Sequence, residues 1–123
     1  MSVLFLSATA PWVYALAESL AHRHPVHAVG FYDWRTYWKA AQSWPTTGHK
    51  GGLKRTLRVL PSGYAGRLEW MARPFMQHMI DSWREELRER SGSEPWVIVP
   101  YPYLAPWVRS VPDDRLVYHN LDE

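Results

Sequence analysis

No cysteine occurs among the 123 residues, so the chain forms neither a disulfide framework nor a thiolate centre. Charge of one sign is scarce as well. The formal net charge is +2, too little to supply the basic face that meets nucleic-acid phosphates, and no nucleic-acid partner is expected. No stretch approaches the ~20 apolar residues that cross a bilayer as a helix. The start, Met1-Ser2-Val3-Leu4-Phe5-Leu6, lacks a basic flank, and its apolar run is shorter than the ~7–15 residues of a signal-peptide core. A cytoplasmic location is the expectation. Glycine is missing from Ser7-Ala8-Thr9-Ala10-Pro11-Trp12, where a dinucleotide site would need it for backbone to approach a pyrophosphate. With no Walker lysine motif either, neither nicotinamide nor P-loop chemistry is expected, and no cofactor is expected. His22 and His24 are two residues apart, which sends them to different helix faces. With no accompanying carboxylate set, no metal site is expected.

What is present reads as one globular domain, 46% hydrophobic and 21% charged. Val3–Leu6 is a continuous apolar run, as in a strand buried on both faces. Pro11 suits the first turn of a helix whose apolar stripe is Val13, Leu16, Ala17 and Leu20. His22, Arg23 and His24 are expected to close that helix, and Pro25 to stop it. Val26–Phe31 is a second strand, completing a βαβ unit. A helix is expected near Thr36–Gln42, a mobile loop over 46–52, and a strand near the sheet edge at Thr56–Leu60. From Gly66 to Arg90 the pattern is helical, with Leu68, Met71, Phe75, Met79, Trp83 and Leu87 as its apolar stripe. Pro74 is expected to kink this helix or mark its start, and Gly92 to cap its end. Trp96–Val99 and Arg115–Tyr118 are further strands, with a short helix over Leu104–Arg109 between them. Most of the eight tryptophans are expected in the core or at an interface.

Alternating strands and helices predict an α/β fold: a Rossmann-like, open, mostly parallel sheet of about five strands with helices on both faces. Ligands of such sheets bind beyond the carboxyl ends of the strands. The candidate binding residues are therefore Ser7, Thr9, Asp33, Tyr101, Asn120 and Glu123, with His119 and Asp122 as candidate catalytic groups. Imidazole titrates near neutrality, so His119 can hydrogen-bond a hydroxyl or carry its proton. Asp122 can orient a sugar or a neighbouring side chain by accepting hydrogen bonds. The alternative is structural, with His119 and Asn120 satisfying loop backbone and Asp122 capping a helix. Ser7 and Thr9 also suit the hydroxyl-rich phosphate loop of a flavodoxin-like flavin binder. A third alternative is a non-catalytic module that binds a glycan or partner through aromatic loops. Lys50, Lys54, Arg55 and Arg58, with Trp70, Arg67 and Arg73 downstream, would suit peripheral contact with anionic lipid or form a solvated loop.

Pro100-Tyr101-Pro102-Tyr103-Leu104, followed by a strand ending Val117-Tyr118-His119-Asn120-Leu121-Asp122-Glu123, resembles bacterial GT-B glycosyltransferases. Those of teichuronic-acid and exopolysaccharide synthesis are the most similar. The resemblance implies the amino-terminal, acceptor-side domain of a two-domain enzyme, with a glycan or lipid-linked acceptor bound here. It implies that the nucleotide-sugar donor is held by a separate carboxy-terminal domain beyond residues 1–123, so that this part alone is expected to be inactive. It also implies that His119 reaches the reacting sugar. Such an enzyme would work at the inner membrane face if the acceptor is lipid-linked.

Overall fold

A computed structural model of the chain describes residues 1–6, 11–33, 47–50, 53–60, 69–100 and 102–118. Its elements are β1 (Val3–Leu6), α1 (Pro11–Ala21), β2 (Val26–Asp33), β3 (Thr47–Lys50), β4 (Leu53–Leu60), α2 (Glu69–Ser91), β5 (Trp96–Val99) and β6 (Leu116–Tyr118). Two 3-10 turns, Pro102–Trp107 and Asp113–Arg115, lie between β5 and β6. The sheet runs β3-β4-β2-β1-β5-β6. Strands β4, β2, β1, β5 and β6 are parallel, and β3 is antiparallel to β4. The fold is thus the expected α/β, Rossmann-like open sheet with helices on both faces.

Numbered along the chain, the five parallel strands stand in the order 3-2-1-4-5, the first five positions of the Rossmann order. A flavodoxin-type order would place the third strand beside the first. Here β4 lies outside β2, so the flavodoxin-like alternative loses its topological basis.

Right-handed crossovers place connections that travel in opposite directions along a sheet on opposite faces. Helix α1 carries the chain from β1 out to β2, and α2 carries it back from β4 to β5. Alternation along each strand divides the core accordingly. Val3, Phe5, Val26, Ala28 and Leu53 pack with Val13 and Ala17 of α1. Leu4, Leu6, Val29, Phe31, Val97 and Val99 pack with Met76, Ile80, Trp83 and Leu87 of α2, together with Leu104, Trp107, Val108 and Val111. All four residues of β1 are buried, as its uninterrupted apolar run requires.

Several expectations are corrected. Residues 47–50, expected within a mobile loop, form β3. Its register pairs Lys50 with Leu53, leaving two positions between the strands. The sequence there is Gly51-Gly52, the residue type that two-residue hairpins demand. Strand β4 starts at Leu53, earlier than expected, and lies near the sheet edge as expected, with β3 outside it. The first helix ends at Ala21, before His22. The short helix expected over Leu104–Arg109 is a 3-10 helix that starts two residues earlier, over Pro102–Trp107. Helix α2 starts before Pro74 and runs through it. Its buried face is Met76, Ile80, Trp83 and Leu87, whereas Met71 and Phe75 of the expected stripe are 60% and 57% exposed. The helix expected near Thr36–Gln42 lies outside the described residues. Gly92 does cap α2: its φ is +74° and its N–H donates to the Arg88 carbonyl at 2.8 Å, the left-handed termination that glycine allows. Among the tryptophans whose side chains are described, Trp83 and Trp107 are buried, Trp96 is half-buried and Trp70 is 69% exposed.

The helix phase gives a direct prediction. Ile80→Ala leaves a cavity under α2 and is expected to cost about 3 kcal/mol, whereas Phe75→Ala is expected to cost less than about 0.5 kcal/mol. Urea denaturation of the two variants checks this, and the reverse ranking would mean that the helix is rotated.

Candidate functional site

The five parallel strands end at one rim, with Leu6, Asp33, Leu60, Val99 and Tyr118 as their last residues. The order reverses between β1 and β5, since the chain leaves β1 toward β2 and later returns to β5. Loops diverge at such a point and open a crevice. Ser7 and Thr9 come directly after β1 in the chain, Tyr101 after β5, and His119, Asn120, Asp122 and Glu123 after β6. These seven residues lie outside the described residues. Asp33 is the last residue of β2 and pairs with Leu60. Because β6 is parallel to β5, Tyr118 stands at the rim, 54% exposed.

Helix α2 also reaches this rim. Its final residue, Ser91, bonds Ser2 at 3.1 Å, Oγ to Oγ, and Ser2 precedes β1 at the opposite edge of the sheet. At about 1.5 Å per residue the helix spans roughly 33 Å, far more than the four-residue β1 and β5. Its first turns therefore extend toward and past the carboxyl rim. Glu69 and Arg73, one turn apart, form a bidentate pair: Arg73 Nε donates to Oε1 at 2.8 Å and Nη2 to Oε2 at 2.6 Å. The Arg73 hydrogen bond chiefly holds the Glu69 carboxyl below its ordinary 4.5, with smaller contributions from the Trp107 indole N–H and from Arg109. Gln77 Nε2 donates to the Pro106 carbonyl at 2.8 Å, fastening the segment after β5 to the same helix. Glu69 and Gln77 were not singled out from sequence. The i, i+4 spacing of Glu69 and Arg73 was the available signal.

A second polar group sits at the wrong end of the sheet for a ligand. His27 is 1% exposed. Its Nε2 lies 2.7 Å from Thr56 Oγ1, and its ring meets Trp83 edge-on at 5.5 Å. Nearby, Lys54 Nζ donates to both Glu86 oxygens at 2.7 and 2.9 Å, and this bond chiefly lowers the Glu86 carboxyl. His27 and Lys54 are each the second residue of their strands, far from the carboxyl ends. They join β2, β4 and α2 and are structural. Alternation also splits the basic stretch, for Lys54 faces α2 whereas Arg55 Nη1 donates to Tyr14 of α1 at 3.4 Å. The two cannot share one lipid-facing surface.

Arg84 is buried beneath α2, its side chain only 8% exposed. It donates to Asp81 at 3.0 Å and to Glu94, while Arg88 donates to the second Glu94 oxygen at 2.6 Å. Ser110 Oγ closes the network on Asp81 at 2.6 Å. Burial pushes the Glu94 carboxyl up, but the bonds from Arg84 and Arg88 outweigh it and the net shift is downward. The network locks α2 to the entry of β5 and to the segment leading to β6, so it holds those strand ends in place.

Neither the comparison with protein-family models nor that with curated proteins finds a match for this chain. Among the described residues no helix is long and apolar enough to cross a membrane.

Two predictions follow from these ion pairs. Arg84→Ala removes the buried centre of the network, while Glu94 keeps Arg88 and Asp81 keeps Ser110, so it is expected to cost about 2 kcal/mol by urea denaturation, less than breaking a fully buried pair. Glu69, Glu86 and Glu94 all titrate below 4.5 in the folded chain. Their stabilisation is present above the unfolded value and lost as pH falls through the folded ones. The thermal midpoint is expected to hold from neutrality to about pH 5 and fall below about pH 4.5. Glu94→Gln should flatten that fall, and an unchanged slope would refute the assignment.

Proposed function

We propose that this chain is the acceptor-side domain of a GT-B-type glycosyltransferase. Together with a donor-binding domain it would move a sugar from a nucleotide sugar to a hydroxyl of a glycan or lipid-linked acceptor. The reading is supported chiefly by the parallel pairing of β6 with β5. That pairing brings Tyr118 to the carboxyl rim, and the segment resembling the family, Tyr118-His119-Asn120-Leu121-Asp122-Glu123, starts there. An antiparallel β6 would have started it at the opposite edge.

In this reading the acceptor lies across the crevice between β1 and β5, against Ser7, Thr9 and Tyr101. His119 hydrogen-bonds the attacking hydroxyl or takes its proton, and Asp122 orients the sugar. The hydroxyl oxygen bonds to the anomeric carbon, and the bond from that carbon to the diphosphate breaks, with the electron pair leaving on phosphate. The domain's contribution is chiefly positional: it holds one reactant at the geometry of attack.

The test is a titration of isotope-labelled protein with cellobiose, maltose and chitobiose, and separately with UDP-glucose, followed by amide shifts. Saccharides are expected to perturb amides at the ends of β1, β5 and β6. His119→Ala should weaken binding about tenfold, the worth of one good hydrogen bond. UDP-glucose should leave the rim unperturbed. Shifts confined to the amino-terminal edge, or none with any saccharide, would count against the reading.

A further inference from the structure

The first turns of α2 expose Trp70 by 69%, Met71 by 60% and Phe75 by 57%, an apolar patch on an otherwise polar helix face. Ala72 and Met76 mark the core-facing side of these turns, so Trp70, Met71 and Phe75 lie on the other faces of the helix end that stands at the carboxyl rim. Helical spacing sets Arg73 beside Trp70, three residues on, and Glu69 lies one turn behind Arg73 on its far side. Arg73 commits Nε and Nη2 to Glu69, and its Nη1 finds no partner among the described residues.

Three occupants can be weighed. At about 200 Å² per large side chain, the exposed fractions amount to roughly 400 Å², about half of what each partner buries in a standard protein interface. A second copy of the chain is thus poorly served. Anionic lipid is disfavoured by charge, since the stripe through Met71 and Phe75 continues to Glu85 and Glu89, both acidic and exposed. A sugar ring suits both size and chemistry. One pyranose face is apolar C–H surface that an indole can cover, and its equatorial hydroxyls project sideways to polar partners. A fixed arginine–carboxylate pair beside an open indole offers both kinds of contact.

We propose that Trp70 is a stacking platform for a pyranose ring of the acceptor, with Arg73 Nη1 donating to a hydroxyl at the ring's edge while Glu69 holds the guanidinium in place. This subsite rests on the sugar-transfer reading of the rim and extends it. The acceptor would run from the crevice between β1 and β5 outward along the start of α2, so that at least two sugar units are bound.

The test follows the Trp70 indole N–H resonance, assigned through Trp70→Phe, while the protein is titrated with chitobiose and with cellobiose. The resonance is expected to shift saturably, with the same midpoint as the rim amides. Trp70→Ala should weaken binding about tenfold, the loss of one aromatic stacking contact, and Trp70→Phe should restore part of it. Arg73→Ala should weaken binding less. Because Trp70 is exposed, Trp70→Ala should leave the thermal midpoint unchanged, which separates lost binding from lost folding. If saccharides move the rim amides while the Trp70 resonance and the affinity of Trp70→Ala stay unchanged, the subsite is overturned and the sugar-transfer reading stands. If no saccharide binds, both fall. A Trp70 shift with phosphatidylglycerol vesicles but not with saccharides would make the patch a lipid contact, and broadening that grows with protein concentration would make it a dimer contact. Either result overturns the proposal.

Discussion

Strand β1 has no solvent-facing side, and the fold is organised around covering it twice. Its four apolar residues are at most 2% exposed, and each fully buried apolar side chain contributes about 2 kcal/mol. One helix cannot cover both faces of a strand. The chain therefore leaves β1 in one direction under α1 and returns past it under α2, the handedness of each crossover assigning each helix to its own face. The reversal that covers β1 twice also sets the topological switch point between β1 and β5, the place where sheets of this kind bind ligands.

Polar interactions distribute themselves around that arrangement by position. At the amino-terminal edge, His27, Thr56, Lys54 and Glu86 satisfy one another beneath α2, and Arg84 binds carboxylates from its own helix and from the entry to β5. These contacts hold the helix against the sheet. At the carboxyl rim the same helix presents Glu69 and Arg73 paired but partly solvated, beside an open indole. One end of α2 is committed to structure and the other is left available. A long helix over short strands makes that division possible, because its first turns outreach the sheet they would otherwise cover.

The sequence-level reading of α2 shows how a correct element can carry a wrong face. Two apolar stripes share Trp83 and Leu87 and diverge toward the helix start, one through Met71 and Phe75, the other through Met76 and Ile80. Periodicity alone scores both well, since side chains three and four apart lie together on either. The sheet decides between them, for Leu4, Leu6 and Val29 offer apolar contact along only one line. Strand β3 escaped notice for a related reason. Thr47-Gly48-His49-Lys50 has weak strand propensity, and its extended form depends on backbone pairing with β4, a partner that local pattern does not reveal. Buried Arg84 was equally hidden, because an arginine on a helix reads as solvated unless the carboxylates that enclose it are known.

Local chemistry was sufficient for much else. Continuous apolar runs at Val3–Leu6 and Trp96–Val99, the proline that opens α1 and the glycine that closes α2 follow from steric and solvation rules acting within a few residues. Their alternation already implied a parallel sheet with its candidate residues at the carboxyl rim. Tertiary structure alone decided strand order, the phase of α2 and which charges are enclosed, because each depends on contacts between residues far apart in the chain. No short window of sequence contains both partners of such a contact.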